Sequence, residues 1–237
     1  MVRERLAALF VLAPEQDGID PSFWSGRADR YARRVAGTVE HDPLLLRLRR
    51  AVNADTVVLD VGAGTGRFAL ALAGDVREVV ALDPSDQMLR VLTEHAAERG
   101  VTNVRTVCGR LDEHEDLRGD VVLCAHVLPL VTDAAGFLSR LDAAARSQVF
   151  VCMGAGAADL RTDPLWRHFH GRSRPPAPSY LDAIAVLDEL GIRPEVEVVE
   201  APSGQPYASL DEAVEDHVDL LRLDGSDDGR AELRRVL

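Results

Sequence analysis

The chain is poor in cysteine, short of positive charge and free of any long apolar run. Its three cysteines, Cys108, Cys124 and Cys152, are odd in number, far apart and form no Cys-x-x-Cys pair. That pattern argues against a disulfide framework and against a structural zinc site. Each cysteine closes an apolar run and reads as a small hydrophobe near a strand end. No metal is expected, because His168-x-His170 lacks a third ligand at a recognisable spacing. The run from Leu6 to Ala13 is far too short to cross a bilayer. Arg3 and Arg5 precede it as in a signal peptide, but no small-x-small cleavage site follows, and Pro14 to Gly18 stop a short helix. These absences describe a reduced, cytoplasmic protein. The net charge of −12 opposes an anionic membrane or a nucleic-acid backbone as the main partner. Small anionic ligands stay open, since they feel a local pocket more than the net charge.

What is present is ordinary for a folded domain: 237 residues, 46% hydrophobic and 28% charged. The length fits one domain with a small appendage. Residues 1–53 read as a helical cover, and 54–237 as the main domain. Ser22 is placed to cap a helix through Trp24, Arg27, Arg30, Tyr31 and Arg34, and Leu44, Leu45 and Leu48 stripe another. From Thr56 the pattern changes to short β-rich runs separated by helices. Strands are expected at 56–60, 78–83, 104–108, 120–125 and 148–153, with helices opening near Arg67, at Ser85 or Asp86, and at Asp133. Strands apolar on both faces that alternate with helices mean an α/β, doubly wound, mostly parallel sheet. After Met153 the alternation breaks. Residues 154–178 hold Arg-Pro-Pro-Ala-Pro and read as a lid over the carboxyl edge of the sheet. A helix from Ser179 to Leu190, a strand from Glu195 to Glu200, a capping box at Ser209 and a helical tail from Asp227 complete the reading.

The most informative stretch is Val57-Val58-Leu59-Asp60-Val61-Gly62-Ala63-Gly64-Thr65-Gly66-Arg67-Phe68-Ala69, at a strand-to-helix junction. Glycines at 62, 64 and 66 let the backbone turn sharply and let a ligand lie against bare peptide. The spacing is Gly-x-Gly-x-Gly, whereas the dinucleotide fingerprint needs Gly-x-Gly-x-x-Gly. Asp60 puts a carboxylate at the strand end, where it would repel a pyrophosphate and attract an ammonium or sulfonium. Asp83 ends the second strand and can accept hydrogen bonds from both hydroxyls of a ribose. The two acids together describe a positively charged nucleoside and disfavour a nicotinamide-dependent oxidoreductase.

With strand, glycine loop, helix and acid in this order, the sequence resembles the class I S-adenosylmethionine-dependent methyltransferases from about Trp24 to Met153. The resemblance implies a Rossmann-like methyltransferase fold with S-adenosyl-L-methionine as cofactor. It implies that the loop of Gly62, Ala63, Gly64 and Gly66 binds the cofactor, that Asp60 helps to hold its amino end, and that Asp83 holds the ribose. The adenine clamp of the family corresponds to Cys108-Gly109-Arg110-Leu111-Asp112, where arginine replaces the usual acid; Leu111 by its amide and Asp112 by its carboxylate are the candidate contacts. Trp24 and Tyr31 resemble the aromatic cover over the cofactor, with Arg27 or Arg30 near its carboxylate; simple packing is the other reading. His126, at the end of the fourth strand, either lines the pocket as a general base or is satisfied by backbone.

Methyl transfer asks the protein to align nucleophile, methyl carbon and sulfur and to exclude water. The chain lacks an Asn-Pro-Pro-Tyr motif and a nucleophilic Cys pair, which weakens specialised DNA, RNA-uracil and protein-glutamine methylation. The expected function is methyl transfer to a small-molecule acceptor. Between 161 and 174 stand Arg161, Arg167, Arg172 and Arg174 against Asp163, with Trp166, His168, Phe169 and His170 among them. Such a segment can steer an anionic or aromatic acceptor, so Trp24, Trp166, His168 and Arg172 are candidate acceptor contacts; a solvated loop paired with surface acids is the alternative. A catalytically silent cofactor-binding or interaction module on the same fold is the competing function. The family sheet closes with two further strands, of which one is evident here; either Gln205 to Ser209 supplies the other or the chain lacks it, and an edge left open could be covered by a second subunit in a homodimer.

Overall fold

The computed structural model describes residues 24, 27–154, 157–173, 178–200 and 206–237. The predicted helix near Leu6, the cap at Ser22, and Arg174 lie outside them. In chain order the elements are α1 (Ala28–Val35), α2 (Pro43–Ala51), β1 (Val57–Val61), α3 (Arg67–Leu72), β2 (Glu78–Asp83), α4 (Asp86–Glu98), β3 (Val104–Cys108), β4 (Gly119–Ala125), α5 (Ala134–Ala144), β5 (Ala145–Cys152), α6 (Ala157–His170), α7 (Tyr180–Glu189), α8 (Leu210–Leu220) and α9 (Asp227–Val236).

The five strands are all parallel in the order β3-β2-β1-β4-β5. Every residue of β1 is buried, as expected of a central strand covered on both faces. Leu59 and Val61 face Leu138 and Leu141 of α5 and Val186 of α7. Val58 faces the other layer, with Leu45 and Leu48 of α2, Phe68 and Leu72 of α3, and Leu89 and Leu92 of α4. Burying each such side chain stabilises the fold by about 1.5–3 kcal/mol. The helix starts follow local chemistry: Ser85 Oγ accepts from the Met88 N–H, and Asp133 and Ser209 do the same for α5 and α8.

Two expectations fail in the last third. Residues 154–178 are not a loop over the sheet: 157–170 form α6. Leu165, Trp166 and Phe169 lie at helical spacing and pack with Val214, Val218, Leu221 and Leu233 of the α8–α9 layer. That burial outweighs the helix-breaking effect of Pro164, which costs about 3 kcal/mol in a helix interior. The strand expected at Glu195–Glu200 does not form. The segment belongs to no helix or strand, with Val196, Val198 and Val199 exposed, and Glu197 is held by Arg47 of α2 at 2.8 Å. Alternation of valine and glutamate supplies strand propensity, but propensity without a neighbouring edge makes no ladder. Among the described residues no helix is long and apolar enough to cross a membrane.

Candidate active site

The strand order reverses between β1 and β4, and a cavity of about 360 Å³ opens at their carboxyl ends. Its floor is the turn after β1. The Gly62 and Ala63 N–H groups both donate to the Leu82 carbonyl, at 2.8 and 3.0 Å, tying the turn to the end of β2. Gly62, Gly64 and Gly66 have φ of 76°, 55° and 84°, a left-handed backbone that glycine adopts without penalty. A Cβ on Gly62 would stand 2.2 Å from Val127 Cγ2, and one on Gly66 2.7 Å from Leu92 Cγ; at Gly64 the nearest atom is Tyr31 Cε1, at 4.0 Å. Gly62, Ala63 and Gly64 line the cavity, whereas Gly66 packs the loop onto α4 and does not reach it.

Asp60 of β1 and Asp83 of β2 both line this cavity. Asp83 Oδ2 accepts from the Gly64 N–H at 2.8 Å, and Oδ1 from the Ser85 N–H at 2.9 Å. Burial raises its carboxyl above the ordinary range, and the two amides pull it partly back. Asp60 is only 3% exposed. Burial, reinforced by the charge of Asp83, pushes its carboxyl up to about 7, and no cation opposes that shift among the described residues. A buried carboxylate without a counter-charge is a standing cost to the fold. A cationic ligand against the bare glycine backbone removes it, so the residues present fit a charged sulfonium nucleoside.

Above the loop lies the aromatic cover. Trp24 and Tyr31 meet edge to face with centroids 5.7 Å apart, and both pack on Met88 and Val91 of α4. Arg30, expected near a ligand carboxylate, does not line the cavity. It pairs with Asp219 at 3.0 Å, and Arg27 turns to Asp216. Their stripe on α1 faces acids on α8, which outcompete an open crevice. Arg67, the first residue of α3, does line the cavity and is paired with Asp42 at 2.7 Å. Its place directly after the third glycine was the available signal.

His126 lines the cavity beside Val127. Its backbone has φ of 64°, and its N–H donates to the Cys152 carbonyl at 2.7 Å. Burial lowers the imidazole pKa, the charge of Arg67 adds to the effect, and Asp42 opposes it. On the opposite wall, Leu111 and Asp112 both line the cavity, with Asp112 Oδ1 3.6 Å from Arg110 Nε. Phe137 and Arg140 of α5 complete that wall; the helix was legible in the sequence, its approach to the crevice was not.

The structure does not bring Trp166, His168 or Arg172 to the cavity. Trp166 is 2% exposed inside the α6–α8–α9 cluster and stacks on His170 with centroids 4.1 Å apart. His168 Nε2 lies 2.9 Å from Glu232, and Arg172 is exposed just beyond α6. Among the described residues no cluster of side chains is arranged to hold a metal.

Comparison with known proteins agrees with this geometry. Residues 58–147 match the family model described as a methyltransferase domain. An uncharacterised protein of Haemophilus influenzae is 28% identical over 82% of this chain and 72% of its own length. A ubiquinone biosynthesis O-methyltransferase of Serratia proteamaculans is 38% identical over 84 residues, about a third of each chain. The crystal structure of an S-adenosylmethionine-dependent methyltransferase from Aquifex aeolicus superposes with a TM-score of 0.56 at 20% identity, covering 78% of this chain and 94% of that one, and shares the fold. The matched residues span the glycine loop and the strands from β1 to β4, so this part of the chain is similar to methyltransferase domains and the whole shares their fold.

Proposed function

We propose that the chain transfers the methyl group of S-adenosylmethionine to a small-molecule acceptor, aromatic or anionic, at the mouth of this cavity. The observation that carries the reading is Asp60, a buried carboxylate whose raised pKa no cation among the described residues opposes, beside a bare glycine loop and a second carboxylate. When bound, the cofactor supplies an activated methyl group. Asp60 balances the positive charge of its amino end. Asp83 has one lone pair left on each oxygen for the ribose hydroxyls. Arg67 is placed for the ligand carboxylate, and Leu111 and Asp112 for the adenine. Trp24 and Tyr31 cover the site and exclude water.

His126 is neutral at neutral pH, because its pKa lies below the usual 6.5. It can therefore take a proton from an acceptor that must lose one. The acceptor class rests on the lining itself, with Trp24, Phe137, Arg67, Arg110 and Arg140, and no longer on the segment after β5. The partial likeness to an O-methyltransferase favours oxygen as the acceptor atom.

The test is calorimetric titration with S-adenosylmethionine and S-adenosylhomocysteine, with NADH as control, on wild type and Asp83→Ala. Micromolar binding of both sulfur nucleosides, weakened by Asp83→Ala, supports the reading. A folded protein that binds neither would favour a silent interaction module.

A further inference from the structure

We infer that Asp216, on α8 and outside the crevice, is a positioning residue for cofactor binding, holding the aromatic cover of α1 over the glycine loop. The inference rests on the reading of the crevice as the cofactor site. The chain contains no lysine, so every cation on α1 is a guanidinium, a rigid fork suited to carboxylates. Arg27, Arg30 and Arg34 fall at i, i+3 and i+7, one helical stripe, and Tyr31 lies beside it.

Asp216 is 5% exposed and is the hub that this stripe meets. Its Oδ1 accepts from Arg27 Nη2. Its Oδ2 accepts from Arg34 Nη1 at 3.1 Å and from the Tyr207 hydroxyl at 2.7 Å. Arg34 also donates to the Tyr207 oxygen at 2.7 Å, and its guanidinium lies 4.1 Å from the centre of that ring. Arg30–Asp219 and Arg33–Glu212 flank the hub at 3.0 and 2.8 Å. The flanking pairs reach solvent and contribute little. The buried hub is different: removing one partner leaves charge buried without compensation.

The rest of the hold on α1 is apolar. Ala28 and Ala32 pack on Met88 and Val91 together with Trp24 and Tyr31. The cover is thus set from two sides, by α4 beneath and by Asp216 on α8. α8 in turn is anchored through Val214, Val218 and Leu221 to Trp166 and Leu233. Tyr31 stands over the glycine loop, so a nucleoside held beneath it stays longer the more firmly the Asp216 hub fixes α1. A residue nearly 190 positions along the chain from Arg27 then governs affinity without touching the ligand.

The experiment is a double-mutant cycle on S-adenosylhomocysteine binding, read by calorimetry and by stopped-flow dissociation, in wild type, Asp216→Asn, Tyr31→Ala and the double variant. Asp216→Asn is expected to weaken binding roughly tenfold, within the usual span of coupling between separate sites, mainly through faster dissociation. In the Tyr31→Ala background the same change should alter affinity less than about twofold, since the ring that α1 holds over Gly64 is already gone. Full additivity, or an unchanged affinity in Asp216→Asn, overturns the inference. If Asp216→Asn does not fold, Tyr207→Phe and Arg34→Gln, which each remove one partner of the hub, are taken through the same cycle with the same two outcomes. Absence of binding by wild type would overturn the cofactor reading, and this inference with it; binding that is indifferent to the hub overturns the inference alone.

Discussion

Asp60→Asn takes away a charge that the fold holds against its own stability. In the cofactor-free protein, burial first and the charge of Asp83 second push this carboxyl from 3.8 to about 7. Each unit corresponds to about 1.4 kcal/mol, so the ionised form opposes folding by about 4 kcal/mol. The folded pKa is raised, so the native state grips the proton more tightly than the unfolded chain does. The stabilising contribution of the protonated carboxyl is complete below about pH 4 and is lost as the pH rises to about 7. Asparagine keeps the shape and cannot ionise. The variant is therefore expected to unfold in urea much like wild type near pH 4 and to be more stable by roughly 4 kcal/mol near pH 8. Cofactor affinity should move the other way, falling about tenfold or more, because a neutral amide no longer balances a cation. The two measurements on one variant would show a site that exchanges stability for binding. A variant less stable than wild type near pH 8, or a stability difference that does not change with pH, would refute the reasoning.

Further outcomes follow from single contacts. Gly62→Ala places a methyl group 2.2 Å from Val127 Cγ2 on a left-handed backbone; denaturant melts should show a loss of about 2–4 kcal/mol, partly restored by Val127→Ala. His126→Gly relieves a φ of 64° and should raise stability by about 1–2 kcal/mol, while initial rates with an acceptor that must lose a proton fall about 10²–10⁴-fold. With that acceptor the wild-type rate should stay level as the pH falls through 6.5 and drop only below it, because burial delays protonation of His126. Leu221→Ala, in the fully buried heart of the α6–α8–α9 cluster, should cost about 2–5 kcal/mol by thermal or urea unfolding.

The parallel sheet was legible because its central strands are buried on both faces: Val79-Val80-Ala81-Leu82 leaves no polar side to confuse the period. Asp60 and Asp83 were legible because a carboxylate at the end of an apolar strand has few structural reasons to be there. Arg67 is marked in the sequence only by its place directly after the third glycine. Phe137 and Arg140 carry no local mark at all; they reach the cavity only through the way α5 lies across β4. The segment after β5 misled for a physical reason. Pro164 and the prolines beyond it signal a loop locally, and Trp166 reverses that signal only once α8 and α9, some fifty residues further on, supply an apolar surface. The arginines of α1 were read as ligands for the same cause. Their true partners, Asp216 and Asp219, are too distant in sequence for any pattern to pair them.

The extended segment before the last two helices has a consequence for handling the protein. Val196, Val198 and Val199 stand exposed between Glu195, Glu197 and Glu200, and among the described residues no strand pairs with the outer edge of β5. Exposed valines and an unpaired sheet edge are each a template for self-association, and flanking acids help to hold copies apart. Near the isoelectric point of about 5.0 the net charge that keeps copies apart vanishes, so turbidity should set in there well before the fold itself is lost, and purification or crystallisation belongs on the alkaline side.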